Sequence, residues 1–322
     1  MDRKCNEMIN MDKLVKMMNM EELEQVDKLL LKKVIEPELE QREMPEEIYH
    51  YTSPVGLKGI LENHSLWFTH YRFLNDKSEK KYTYKLLEEC LLMYKEKLDD
   101  GFFAQIMRGL HHNIIHHSKV DWFNDIYQVP EYYIASFACN GDSLSLWNYY
   151  TKNANKTGYN IRFTLKELTQ SLQKGNYDVR KIIYDRREQE DKIARLLLGF
   201  SEAWDEQRGM VFLAILVALF WEMIDEASLA FKSPAFQDEC EIRIVYKANE
   251  KHKVAERFRE MNGIFVPYFD DEFEKKSVKG ITISPTQQDE LAVEGIGRLL
   301  EHYGYDNVEK QEVKVSEVPL RY

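Results

Sequence analysis

The chain has little cysteine: four residues in 322, at Cys5, Cys90, Cys139 and Cys240, with no Cys-x-x-Cys pair. That spacing predicts neither a disulfide framework nor a cysteine zinc site, and it suits a reducing cytosol. Long apolar runs are also missing. The longest, Met210 to Trp221, is flanked by Glu206, Arg208, Glu222 and Asp225. It is too short to span a bilayer, so it predicts a buried core helix. The opening residues MDRKCNEMIN lack the apolar centre of a signal peptide, which again predicts a cytoplasmic chain with no membrane partner. Excess positive charge is absent: Lys and Arg number 44 against 55 Asp and Glu, a formal charge of −11. No global pull toward nucleic acid follows, although a local basic cleft is compatible with that balance. Several motifs are missing as well. No GxGxxG follows a strand and no GxxxxGK[ST] occurs, so the phosphate-cradling glycines of Rossmann and P-loop domains are lacking. There is no GxSxG elbow for a serine hydrolase.

What is present is an ordinary globular composition, 44% hydrophobic and 31% charged. Residues 1–44 stand apart, rich in Met and charge and without glycine or aromatics. Leu23, Val26, Leu30 and Val34 recur at helical spacing, which predicts a helical N-terminal arm. A narrow apolar stripe seeks a surface, either of the main domain or of a second copy in a homo-oligomer. From Pro45 on, the pattern predicts one α+β domain over 45–322. Short strands are expected at Ile48–Thr52, Leu66–Thr69, Tyr132–Cys139, Tyr159–Phe163, Val179–Tyr184, Glu239–Tyr246, Ile264–Tyr268, Lys279–Ile283 and Val313–Val315. A mostly helical insertion is expected at about 189–231. Ser53-Pro54 starts a helix after the first strand, with Ser as cap and Pro in the first turn.

Four segments could carry chemistry. In Glu239-Cys240-Glu241-Ile242-Arg243, strand alternation puts Glu239, Glu241 and Arg243 on one face, with the carboxylates roughly 7 Å apart. Carboxylates that close perturb each other's ionisation, and a positioned one can bind a ribose or steady developing positive charge. The bland alternative is a solvated strand face with a salt bridge. In Tyr49-His50-Tyr51-Thr52, the histidine ends a strand ahead of a helix, where it could donate to a sugar hydroxyl. Tyrosine could stack on a flat ring, and an ordinary core role competes with both. Trp147 and Tyr150 share one face of a short helix after Ser143 and could wall a pocket, or simply fill the core. His112 and His116 have helical metal-clip spacing, but no third ligand and no HExxH acid accompany them. No metal cofactor is therefore expected.

Together these segments resemble the bacterial family called domain of unknown function 2971. The resemblance rests on YHYTSPVGLKGILENHSLWFTHYRFLNDKSE (Tyr49–Glu79), ASFACNGDSLSLWNYYTKNANKTGYNIRF (Ala135–Phe163), FKSPAFQDECEIRIVY (Phe231–Tyr246) and VPLRY (Val318–Tyr322), in order over about residues 45–322. More distantly the chain resembles ADP-ribosyltransferases, which bind NAD in a cleft of a split sheet. That resemblance implies NAD as the substrate cofactor. His50 would hold the nicotinamide ribose and Tyr150 would stack on nicotinamide. Tyr51, Thr52, Trp147 and Arg243 would be further cofactor-binding residues. Glu241 would be the catalytic carboxylate, and Glu239 would orient an acceptor, protein or nucleic acid. It further implies an effector role in phage defence or as a toxin. The alternative is a non-catalytic nucleotide- or protein-binding domain of the same fold.

Overall fold

The computed structural model describes residues 43–74, 79–115, 131–151, 157–175, 177–204, 209–248, 253–286 and 290–319. The expected N-terminal arm, Asn75, Asp76, His116, Leu320 and the chain end therefore lie outside the described residues, as does the side chain of His112. The described residues fall into two compact units, one within 79–115 and 183–234, the other within 43–74, 131–182 and 235–319.

In the described part of the first unit, four helices surround an apolar core. They are α2 (Glu79–Tyr94), α3 (Asp100–Ile115), α6 (Arg186–Ala203) and α7 (Met210–Ser228). Leu87, Leu91, Phe102, Ile193, Phe200 and Phe220 are buried in that core. The apolar run read as a core helix is α7, and no described helix is long and apolar enough to cross a membrane. Two buried polar groups are satisfied internally. The amide of Gln189 donates to the Ile183 and Lys232 carbonyls, and its oxygen accepts from the Tyr82 hydroxyl.

The second unit is built on a sheet whose described strands number ten. They are β1 (Glu47–Thr52), β2 (Ser65–His70), β3 (Glu131–Ala138), β4 (Tyr159–Thr164), β5 (Tyr177–Lys181), β6 (Glu241–Ala248), β7 (Arg257–Met261), β8 (Ile264–Glu272), β9 (Val278–Ile283) and β10 (Val313–Val315). All pairings are antiparallel except β10 with β9, so the chain is a mixed α+β protein. Alternation places Ile48, Phe68, Phe137, Ile161, Ile244 and Phe269 in one core. That face is covered by α1 (Pro54–Asn63), α5 (Leu165–Ser171) and α8 (Glu290–His302), whose Leu57, Leu61, Leu168, Ile296 and Leu300 join the core. On the opposite face, α4 (Leu144–Tyr150) packs Leu146 and Trp147 on Tyr51 and Ala138.

One strand organises the sheet. Along one edge β3 pairs with β6 for its whole length, from Glu131↔Ala248 to Ala138↔Glu241. Its other edge is shared: β2 meets it at Thr69↔Ile134 and His70↔Tyr133, and β1 only at Tyr49↔Ala138. Between those contacts Ala135, Ser136 and Phe137 face no strand among the described residues. The sheet is therefore split where β1 and β2 diverge from β3.

Three expectations need correction. The strand expected at Val179–Tyr184 is β5, which starts and ends earlier. Its register is set by pairing with β6 (Tyr177↔Tyr246), a long-range contact that local propensity does not encode. Strand β7 was not expected at all, because its sequence RFREM alternates charge with few β-branched residues. The Asn262-Gly263 pair that follows is the missed signal. Both residues have positive φ, 53° and 78°, the conformation that a tight hairpin turn requires. Third, Cys139 and Cys240 form a disulfide across a sequence separation of 101, contrary to the reading of isolated cysteines. They follow Ala138 and precede Glu241, which are register partners, so sheet pairing brings them within a Cα–Cα distance of 5.5 Å.

Candidate functional site

The candidate site is the split beside Ser136. Ser53 caps α1 by accepting from the Gly56 amide at 3.1 Å, and this ends β1 just after His50, Tyr51 and Thr52. Gly56 is needed there: a Cβ would sit 2.2 Å from the Thr52 hydroxyl oxygen.

His50 bridges the split. Its Nδ1 lies 3.0 Å from the Ser136 carbonyl oxygen, one of the β3 groups that no strand covers on that edge. A carbonyl only accepts, so Nδ1 carries the proton and Nε2 of the neutral ring is an acceptor. The sequence reading allowed a donor here; the contact assigns the acceptor role. Burial holds the His50 pKa below its usual 6.5, the Ser136 contact opposing and the Arg259 charge adding to the fall. His70, at the end of β2, is buried and neutral. Burial, and secondarily Arg72, lower its pKa to about 4, and its Nδ1 accepts from the Arg72 amide at 3.3 Å.

A pH dependence follows. Both rings have folded pKa values below the unfolded 6.5. As pH falls, the unfolded chain therefore takes up protons first. Stability should be full above about pH 6.5 and decline toward pH 4. Thermal melts across that window check this, and replacing His70 by Asn should flatten the decline.

Glu241 and Arg243 share a face of β6, as alternation requires, and form a buried bidentate pair. Arg243 Nε donates to Oε1 at 2.8 Å and Nη2 to Oε2 at 3.0 Å. Glu241 is 7% exposed and Arg243 2%. The strand reading fails for Glu239. It closes a 3-10 turn (Pro234–Glu239), and Cys240, with φ of 42°, redirects the chain before β6 begins. Glu239 and Glu241 are thus not an i, i+2 pair on one strand. Strand alternation also leads to the expectation that Glu239 and Glu241 face one cleft with His50 on a neighbouring strand, and this is corrected as well. Strand β3 lies between β1 and β6, a separation of about 10 Å. By register, Glu241 aligns with Ala138 and Tyr49 on the face that carries Tyr51 and Trp147, while His50, paired with Ile161 and packed on the Phe137 ring, lies on the opposite, core-facing side.

Tyr51 and Trp147 prove to be interior. The Tyr51 hydroxyl donates to the Asn140 carbonyl and accepts from the Ser143 amide, both at 3.0 Å, and burial raises its pKa. Trp147 is fully buried against Tyr51, ring centroids 4.8 Å apart, and its indole N–H donates to Asp142 at 2.6 Å. Neither ring is open to a ligand; together they set the wall from which the half-buried Tyr150 stacks on Tyr51 at 5.8 Å. Gly141 makes this wall possible, because a Cβ there would lie 2.4 Å from the Tyr49 ring.

Sequence reasoning missed Asp142, which also accepts from the Ser316 hydroxyl and the Glu317 amide and so ties the 313–319 segment to α4. It also missed Arg259 and Thr69 on the other bank of the split. Arg259 Nη2 donates to Thr69 Oγ1 at 2.9 Å. Neither belonged to an expected motif; the Asn-Gly hairpin signal would have placed Arg259 in a strand.

A family model described as "Protein of unknown function (DUF2971)" matches residues 146–244. The match runs from α4 into β6 and includes Trp147, Tyr150, Glu241 and Arg243. It covers less of the chain than the resemblance over about 45–322 implied, and the Tyr49–Glu79 and Val318–Tyr322 stretches lie outside it. No curated protein and no solved structure matches the chain.

Proposed function

We propose that the split in the sheet binds NAD and that the protein transfers ADP-ribose from it to an acceptor. The observation that carries this reading is His50 at the break between β1 and β3, a half-buried imidazole whose Nδ1 is committed to the Ser136 carbonyl, which leaves Nε2 as the acceptor of the neutral ring. A ribose hydroxyl would donate to that Nε2. In the transfer, the C1′–N bond to nicotinamide breaks and its electron pair leaves with the ring nitrogen, discharging the pyridinium. The acceptor's nucleophilic atom bonds C1′ and its proton passes to solvent. Tyr150 and Glu241 lie by register on the other face of the sheet from His50, so a nicotinamide reaching through the split would meet Tyr150, and Glu241, held by Arg243, would face the developing positive charge.

The Glu241–Arg243 pair favours a second reading, a nucleotide-binding domain without turnover, because a carboxylate already neutralised by a guanidinium offers less charge to a transition state. One experiment separates the two. Incubating the protein with NAD, with and without cell lysate, should release nicotinamide, and His50→Ala should reduce release by about tenfold or more. Binding of NAD without any nicotinamide release would select the second reading. Absence of binding would refute both.

A further inference from the structure

We propose that Arg259 is a phosphate-docking residue that takes the pyrophosphate of the dinucleotide bound at the split. This deepens the NAD reading and rests on it for the identity of the ligand. Arg259 projects from β7 across β8 to Thr69 on β2. Its guanidinium carbon lies 5.2 Å from the centroid of Trp67 and 5.8 Å from that of Tyr268, two rings whose centroids are 4.5 Å apart. The fork is thereby held in one orientation. Its Nε is buried and has no hydrogen-bond partner.

Nor does Arg259 pair with a carboxylate among the described residues, and the acids of its neighbourhood are engaged elsewhere. Glu260 accepts from the Gly263 amide, and Asp270 pairs with Arg257. Glu256 accepts from the Tyr133 hydroxyl. Asp271 accepts from the Tyr177 hydroxyl and the amides of Gln173 and Lys174. A partly buried cation without a counter-ion is costly, and no acidic residue among the described ones supplies it. The missing anion is then a ligand's. A planar, always-charged fork with a spare Nε suits the paired oxygens of a phosphate. The position fits as well. Arg259 reaches Thr69, the register partner of Ile134, and His50 reaches Ser136, two residues further along the same strand. In NAD the nicotinamide ribose is joined directly to the pyrophosphate, so a ribose on His50 would direct the phosphates along β3 toward Arg259.

Calorimetric titration of the whole protein with ADP-ribose and with adenosine tests this. Arg259→Gln should weaken ADP-ribose about ten- to a hundredfold and leave adenosine unchanged. Arg259→Lys should keep the salt dependence of ADP-ribose binding with part of the affinity, since a point charge remains and the fork is lost. The melting temperature of Arg259→Gln without ligand should not fall. Three results would overturn the proposal: no ADP-ribose binding by the unmodified protein, equal ADP-ribose affinity in Arg259→Gln, or equal losses for ADP-ribose and adenosine. Arg259-dependent ADP-ribose binding without NAD cleavage would sustain this site and sink the transfer reading. NAD cleavage with an unchanged KM in Arg259→Gln would do the reverse.

Discussion

Glu241→Gln should destabilise the protein by about 3 kcal/mol, the magnitude seen when one partner of a buried ion pair is removed. Arg243 is 2% exposed, so its charge is removed from water and depends on partners inside the protein. The glutamine keeps the shape but lacks the charge, and it can offer only one oxygen where the carboxylate offered two. Replacing both residues by methionine should recover most of the loss, because the desolvation cost of both charges goes with them. Urea unfolding of the two single variants and the double variant checks this. A Glu241→Gln protein within about 0.5 kcal/mol of the parent would show that the pair contributes nothing measurable. The consequence for function is direct. Glu241→Gln should also reduce nicotinamide release by about a hundredfold or more if the carboxylate faces the developing charge. That loss must be read at a temperature where the variant is still folded.

Breaking the Cys139–Cys240 disulfide should cost a comparable amount, about 4–5 kcal/mol in the chain-entropy picture for a loop of this length. The bond lies where β3 and β6 end together. The Cys139 amide also donates to the Cys240 carbonyl at 2.8 Å. Cys240 has a positive φ, unfavourable for a residue with a Cβ, and the crosslink helps to hold it there. From this point the chain enters Glu241 on one side, and on the other the Asn140–Ser143 loop that fixes the Tyr51 hydroxyl. Reduction should therefore loosen both. Peptide mapping without reductant, with melts in the presence and absence of a phosphine reductant, checks the expectation. Two free thiols in the mapped protein, or superimposable melts, would contradict it.

Much of the second unit was legible because its strands alternate or run apolar with clear punctuation. Ser53-Pro54 fixes the end of β1, and Gly304, with φ of 71°, follows α8. The buried helix α7 was legible from length alone. The site was only half legible, for a physical reason. Alternation is a local property, and it placed Glu241 and Arg243 on one face. It cannot say which strands become neighbours. The insertion of β3 between β1 and β6, the Cys139–Cys240 contact and the reach of Arg259 to Thr69 all depend on pairings between residues about 100 or more apart. Glu239 failed because a single positive-φ residue, Cys240, breaks the alternation that the argument assumed. Alternation also could not say that Trp147 and Tyr51 each have their polar atom satisfied inside the protein, by Asp142 and by the Asn140–Ser143 loop.

The central claim is that a dinucleotide lies in the split beside Ser136. A crystal structure of the protein with a non-cleavable NAD analogue tests it most directly. The account predicts a nicotinamide-ribose hydroxyl about 3 Å from His50 Nε2, with the pyrophosphate on Arg259 and the nicotinamide ring toward Tyr150. An analogue bound elsewhere, with His50 and Arg259 untouched, would contradict it.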